Sequence, residues 1–422
     1  MAIQSIKGFK DLLPSEAKRW GQIEQEARRL FSLYGYEEIR TPILEFTEVF
    51  SRSIGEVTDI VEKEMYTFQD RDGRSITMRP EGTAGVVRAY IEQALQSKSP
   101  VHKLFYMGPM FRHERPQAGR LRQFHQIGVE VLGPSGPAVD VEVISLLTDL
   151  LDALEVRGGS LLLNSIGCPV CRPDYIATLR AFLEERTGRL CENCRRRIAS
   201  NTLRVLDCKV PACREATEEA PAFPGHLCPA CDSHFDAVRR GLTDLGIGFV
   251  QAPRLVRGLD YYTRTTFEWV TDRLGAQNTV AAGGRYDGLV RSMGGPDVPG
   301  SGWAVGVERL ASLCEGPASP PCPLVYFALL GEEAERLADP VVRRMRRGGI
   351  RVERDLMGGS LKSQLRRADK ACASLVVIIG DEEIKRGSAV VRDMNEKTQA
   401  ESALSDLPET VAQRLRQSAS SQ

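Results

Sequence analysis

The chain has 422 residues, 42% apolar and 27% charged, the profile of a water-soluble globular chain with room for two or three domains. Lys+Arg and Asp+Glu balance at 56 each, which excludes a uniformly basic or acidic surface, so any polyanion-binding face has to be a local patch. The opening MAIQSIKGFKDLLP shows no secretory signal, and the longest apolar run, around Leu375–Ile379, is too short to span a bilayer. Eleven cysteines in so long a chain suggest reduced thiols in the cytoplasm rather than a disulfide scaffold.

Between Ser15 and Tyr34, apolar residues from Trp20 to Phe31 recur at helical spacing, and Gly35 is suited to end that helix. Tyr36–Ile39 reads as a strand running into Arg40-Thr41-Pro42, and residues 76–79 and 104–111 also read as strands. Gln123–Gly133 (QFHQIGVEVLG) alternates as a strand, which puts Gln126 and Glu130 on one face. A helix is expected over Val139–Leu154. The cysteine-rich block from Cys168 to Cys231 differs in composition from both flanks and reads as an insertion spanning about residues 168–240. Thr265–Val270 then reads as a strand, Ala281–Gly288 (AAGGRYDG) as a glycine-rich segment, and Gly302–Leu313 as a helix. That helix would close a first domain at residues 1–315, with a Pro/Gly/Ser-rich linker at 316–323. From residue 324 the pattern is strand (Leu324–Leu330), helix (Glu332–Arg347), strand (Ile350–Glu353), helix (Ser360–Ala371) and strand (Leu375–Ile379). This alternation predicts a small α/β domain over 324–422 with a mostly parallel sheet.

Three distant segments set arginines and acids beside glycines. They are Phe111-Arg112-His113-Glu114-Arg115 with its continuation through Gly119-Arg120 to Phe124, then Arg257-Gly258-Leu259-Asp260-Tyr261-Tyr262, and Gly306-Val307-Glu308-Arg309. An arginine at the end of an apolar strand, backed by a glycine-bearing loop, suits a polyphosphate, because guanidinium grips phosphate oxygens in a bidentate fork. Any one of these segments would serve equally as a solvated surface. Together they resemble the class II aminoacyl-tRNA synthetases, and among them the histidyl-tRNA synthetase family, over nearly the whole chain. Arg40-Thr41-Pro42 is similar to motif 1, Phe111–Phe124 to motif 2 and Gly302–Leu310 to motif 3. Arg257–Tyr262 (RGLDYY) and Ala282–Leu289 (AGGRYDGL) resemble the histidine-specific signatures, and Arg79-Pro80-Glu81-Gly82-Thr83 the segment that binds the amino group.

The resemblance implies an α+β chain. Its catalytic domain would be an antiparallel sheet flanked by helices, interrupted by the cysteine-rich insertion and followed by an α/β anticodon-binding domain. It implies ATP with Mg²⁺, L-histidine and histidine tRNA as reactants, and a homodimer built on motif 1, with no membrane partner. Arg112 and Arg257 are the implied catalytic residues, flanking the α-phosphate. Glu114, Arg120, Phe124 and Arg309 would join Arg112 in binding ATP, Phe124 and Arg309 stacking on the adenine. Glu130 and Tyr262 would take the two imidazole nitrogens, and Tyr261 and Tyr286 would line that pocket. Glu81, Thr83 and Gln126 would hold the ammonium. A histidine-sensing, catalytically silent paralogue of the same fold would be expected to lack motif 2 and 3 residues and the anticodon domain, and here Arg112, Arg257 and Arg309 are present.

Between Arg336 and Lys370 eleven Lys/Arg face four acids, the electrostatic footprint of a phosphate backbone or else a solvated helix face. The resemblance to the anticodon-binding domain, carried by Ser360–Leu365, Ala368–Lys370 and Val377–Glu382, favours the former. Cys168/Cys171, Cys191/Cys194 and Cys228/Cys231 form three C-x-x-C pairs, with Cys208 and Cys213 a looser fourth. Eight such thiols are enough for two structural four-cysteine zinc sites. Small buried thiols in a metal-free insertion are the alternative, since the family does not depend on zinc.

Overall fold

The computed structural model describes residues 3–55, 58–117, 119–275, 278–314 and 324–420. The chain divides into two compact units, Met1–Ala318 and Ser319–Gln422. The predicted linker at 316–323 lies outside the described residues.

The first unit is built on an eight-stranded sheet, in the order Glu37–Glu38, His102–Phe111, Gln123–Leu132, Gly300–Gly306, Thr279–Arg285, Thr263–Val270, Ser160–Ser165, Val250–Gln251. The six inner strands pair antiparallel, and only the two short edge strands pair parallel. Period-two alternation sorts the side chains. Phe105, Ile127, Val129, Val131, Leu161, Leu163, Phe267, Trp269, Trp303 and Val305 enter the main core on one face. Helices Pro14–Leu33, Pro137–Ala153, Pro229–Asp244 and Val307–Leu313 contribute Ile23, Phe31, Leu147, Leu150, Phe235, Val238 and Leu310 to that core. Proline at the first turn and Gly35 at φ +75° bound the first helix, because proline needs no donor there and glycine tolerates the left-handed exit. The opposite phase, with Gln126 and Glu130 on one strand and Glu268 on another, faces a cavity.

The predicted helix over Gly302–Leu313 is corrected. Gly300–Gly306 is a central strand between Gln123–Leu132 and Thr279–Arg285, and the helix begins only at Val307. Trp303 and Val305 alternate into the core while Gly302 allows the neighbouring strand to approach, so period two governs where period 3.6 was read.

A buried polar knot ties helices to sheet. Asp140 accepts from His234 Nε2 (2.7 Å), Thr265 Oγ1 (2.7 Å) and the guanidinium of Arg285 (3.0 Å). Arg285 also donates to Gly136 O (2.9 Å) and Asp287 (2.9 Å). Although burial opposes ionisation, His234 and Arg285 hold the Asp140 carboxyl below its ordinary value.

The insertion leaves the sheet after Ser160–Ser165. It carries helices Arg172–Glu184, Glu192–Ser200 and Pro211–Ala216 around a small core that includes Tyr175, Leu179, Leu183, Ile198 and Phe223. The second unit has a five-stranded sheet in the order Val352–Arg354, Val325–Leu329, Leu375–Ile379, Ser388–Asp393, Gln399–Ala403. The first three strands are parallel, as predicted, and the last two add an antiparallel edge. Among the described residues no helix is long and apolar enough to cross a membrane.

Candidate functional site

A cavity of about 820 Å³ opens on the polar face of the large sheet, and all the site residues expected from sequence line it. At one end the sheet supplies Gln126 and Glu130, and the turn before helix Thr83–Glu92 supplies Glu81 and Thr83. The Arg257–Tyr262 loop adds Arg257, Tyr261 and Tyr262, and Tyr286 follows strand Thr279–Arg285. Glu81 accepts from the N–H groups of Thr83 (2.7 Å) and Ala84 (2.8 Å), satisfying the open first turn of that helix. Glu130 accepts from Thr83 Oγ1 (2.6 Å) and Tyr286 OH (2.5 Å). Burial pushes the Glu130 carboxyl up to about 8, against these hydrogen bonds and with a further upward push from Glu81. Burial raises Glu81 too. Two carboxyls so placed bind a cation or an N–H donor by ionising around it. Gln126 Oε1 and Arg257 Nε lie buried with no hydrogen-bond partner among the described residues, as expected of groups that serve a ligand.

Glycine makes the floor possible. A Cβ on Gly302 would stand 2.1 Å from Glu130 Oε2 and 2.2 Å from Val129 O, so a side chain there would displace the carboxyl.

The other end is arginine-rich. Arg112 donates through Nε to Pro80 O (2.8 Å), and its guanidinium lies 5.3 Å from the Phe124 ring centre. Arg120 pairs with Glu114 at 2.6 Å, and Arg309 donates to Gly119 O (3.0 Å) and Thr279 O (2.5 Å). Burial, and then repulsion from Arg120 and Arg112 against the pull of Glu114, lower the Arg309 value. Crowded guanidiniums of this kind are relieved by a polyanion.

Two further cavity residues, Glu268 and Tyr106, escaped the sequence reading, and Glu308 was named there within its segment without a role. Glu268 pairs with the Arg257 guanidinium and accepts from Thr279 Oγ1 (2.9 Å). Although burial opposes its charge, Arg257 is held above its ordinary value by Glu268. A lone acid in TTFEWV, out of phase with Phe267 and Trp269, was the available signal. Glu308 accepts from the His125 N–H (2.9 Å), joining the helix after Gly300–Gly306 to the strand that carries Gln126. Tyr106 is buried in the wall, against Gly82 and Gly128, and only its phase in the 104–111 run hinted at it.

The eight insertion cysteines gather into two sets of four, and one of them, Cys208, also lines the cavity. In the second unit Arg343, Arg347, Lys362, Arg366 and Lys370 are exposed, beside Leu356 and Met357, which are 79% and 80% exposed. Other members of the basic stretch are structural: Arg367 pairs with buried Asp355 (2.7 Å), and Arg346 donates to Val352 O (2.8 Å). Gln364 is buried, bonding both N–H and C=O of Leu329.

An antiparallel sheet whose polar face carries an arginine-rich end and a carboxyl-lined end in one cavity is the fold of a class II aminoacyl-tRNA synthetase. A family model described as Histidyl-tRNA synthetase matches residues 8–310, and one described as Anticodon binding domain matches residues 324–414. The chain is 51% identical over 417 residues to a histidine–tRNA ligase of Syntrophotalea carbinolica, covering 99% of this chain and 100% of that one. It is 54% identical over 413 residues to that of Geobacter sulfurreducens, covering 98% and 100%. The apo S. aureus histidyl-tRNA synthetase structure superposes with a TM-score of 0.82 at 34% identity, over 97% of this chain and 99% of that one. The chain belongs to the histidyl-tRNA synthetase family. It is a histidine–tRNA ligase, acting on histidine, ATP and tRNA.

Proposed function

We propose that the single cavity runs both half-reactions, with ATP at the arginine end and histidine at the carboxyl end. The histidine carboxylate attacks the α-phosphorus of ATP, forming histidyl-adenylate as the bond to pyrophosphate breaks. The 3′-terminal hydroxyl of histidine tRNA then attacks the activated carbonyl and AMP leaves. Arg112 and Arg257 stabilise the charge that develops at the α-phosphate, as preorganised cations do best in a site shielded from water. Glu114 and Arg120 meet the adenine and the far phosphates, while Phe124 and Arg309 stack on the adenine. Mg²⁺ accompanies ATP.

Glu130 and Tyr262 select the imidazole, Tyr261 and Tyr286 enclose it, and Glu81, Thr83 and Gln126 receive the ammonium. The observation that carries this reading is the convergence of all these side chains, from segments far apart in the chain, on one cavity. Buried polar groups that pair only with the correct substrate reject isosteres strongly.

In this reading residues 1–315 are the catalytic domain, about 168–240 its insertion over the tRNA acceptor stem, 316–323 a linker and 324–422 the anticodon-binding domain. The protein works in the cytoplasm as a homodimer through the motif 1 segment, and its insertion cysteines hold structural zinc. Removal of one transition-state donor costs roughly 3–4 kcal/mol. Arg257→Ala is therefore expected to lower histidine-dependent ATP–pyrophosphate exchange by about a hundredfold or more. Unchanged exchange would remove Arg257 from catalysis.

A further inference from the structure

Eight of the chain's eleven cysteines lie between Cys168 and Cys231, and the fold sorts them in an order that their spacing does not reveal. Cys168, Cys171, Cys228 and Cys231 form one set, and Cys191, Cys194, Cys208 and Cys213 the other, with all four sulfurs of each set within 4.8 Å of one another. The first set joins pairs that stand 60 residues apart in the chain. The sets are therefore nested: the outer closes the base of the insertion and the inner closes its middle.

The sulfur spacings suit a single tetrahedral ion. In the outer set Cys168–Cys171 and Cys168–Cys228 are 3.9 Å apart and Cys171–Cys231 3.8 Å, and in the inner set Cys191–Cys208 are 4.0 Å apart. Four thiolates at about 2.3 Å from a central zinc stand about 3.8 Å apart. Disulfide sulfurs would stand at about 2.05 Å, and every described cysteine is free. An iron–sulfur cubane would hold its cysteines farther apart than a single ion does. Backbone N–H groups also point at sulfur, from Cys168 to Cys171 Sγ (3.3 Å) and from Cys191 to Cys213 Sγ (3.1 Å), which favours thiolate ligands. Gly167 completes the outer loop at φ +64°, where a Cβ would fall 2.8 Å from Cys171 Sγ.

The outer set is also tied to the histidine pocket. Arg172, next to Cys171, donates to Ile166 O (3.1 Å), Gly167 O (3.2 Å) and Tyr262 O (2.6 Å). Two backbone bonds run parallel to it, Arg264 N to Gly167 O and Ile166 N to Arg264 O, each 2.8 Å. Arg264 itself is in the left-handed region at φ +50°, a conformation that a side chain-bearing residue keeps only when its neighbours hold it. The ring of Tyr262 lines the cavity.

We propose that the insertion holds two mononuclear zinc ions on these nested four-cysteine sets, and that the outer ion, through Arg172, fixes the backbone that presents Tyr262 to histidine. This rests on the zinc and histidine-pocket readings above and adds to them the pairing of the ligands and a role for one ion. Arg172 is a positioning residue.

Elemental analysis of the full-length chain, purified without chelator or metal-affinity tag, is expected to give two zinc per chain. No zinc, one zinc or stoichiometric iron would overturn the two-site proposal whatever the enzymatic activity. Cys171→Ser/Cys231→Ser alters one nested site and should leave one zinc, while Cys171→Ser/Cys194→Ser alters both and should leave none. The reverse pattern would mean that consecutive pairs share an ion. Arg172→Ala should keep both zincs and raise the KM for histidine about tenfold or more in pyrophosphate exchange, the size usual for residues that orient a metal's surroundings. Its kcat should stay within a few fold, with partial recovery in Arg172→Lys. An unchanged KM with both zincs bound would break the link to the pocket and leave the metal sites standing. Wild-type protein with two zincs and no histidine-dependent exchange would instead overturn the histidine-pocket reading.

Discussion

Burial favours the protonated form of Glu130, and under the proposed function that carboxyl ionises when an imidazole binds. Its folded-state value of about 8 lies above the ordinary 4.5. Its contribution to stability is therefore fully present below the ordinary value and is lost as pH rises through about 8. Glutamine imitates the protonated carboxyl at every pH. Glu130→Gln should melt at a higher temperature than wild type at pH 9 without substrate, the gap closing near pH 5, while histidine-dependent exchange collapses. Equal melting temperatures at pH 9 would show that burial does not load this carboxyl. Gly302→Ala tests the same spot by volume. Its methyl group must displace Glu130 or Val129, and overpacking of this kind costs roughly 1–3 kcal/mol. Urea unfolding should report that loss, together with a raised KM for histidine. At this scale Gln126 and Glu130 were legible because strand alternation assigns them a face. Glu268 was not, nor was the contact that Glu308 makes, because these depend on the partners Arg257 and His125, which the fold brings from other segments.

The elements were legible wherever apolar periodicity is strong. Glu332–Arg347 and Leu375–Ile379 carry the predicted boundaries. Gly300–Gly306 was misread because a strand that must leave room for a neighbour's carboxyl uses glycine where a strand former would announce it. Gln399–Ala403 went unread for a different reason: it is an edge strand with only Ser402 buried, so it has no apolar phase to read. What couples elements is still less visible. The Asp140–His234–Arg285 knot joins two helices to the strand that leads to Tyr286, and Asp140 and Arg285 are both fully buried. Breaking a buried pair by removing one partner costs about 3–5 kcal/mol. Arg285→Ala should lose that much in urea unfolding at neutral pH, and a loss below 1 kcal/mol would mean that the knot is not structural. Because Asp140 is held low, its share of stability is present above the ordinary carboxylate range and fades as pH falls through its depressed value.

For the molecule as a whole, the matches to the Histidyl-tRNA synthetase model and to the Anticodon binding domain model fall on separate units. Balanced overall charge hides a local excess of basic residues between Arg336 and Lys370, much of it exposed. Arg343→Glu/Arg347→Glu should lower kcat/KM for tRNA charging by about tenfold or more at physiological salt, with a shallower salt dependence, because phosphate contacts release counterions. Pyrophosphate exchange, which needs no tRNA, should stay within about twofold if the basic face serves only tRNA. Loss of both activities together would mean that these arginines support the fold instead. Composition and spacing gave a basic stretch and an α/β pattern after residue 324, whereas its assignment to tRNA, and the choice of histidine from the Arg257–Tyr262 and Ala282–Leu289 signatures, rested on resemblance. The cavity brings the carboxyls of Glu81 and Glu130 together with Tyr106, Tyr261, Tyr262 and Tyr286, the set to which the proposed function assigns that choice.

The most direct test is ATP–pyrophosphate exchange measured on the full chain with each of the twenty amino acids in turn. Exchange with histidine alone is the expected result. Exchange with another amino acid at a comparable rate, or none with histidine, would contradict the assignment of Glu130, Tyr262 and the arginine cluster to one histidine-activating site.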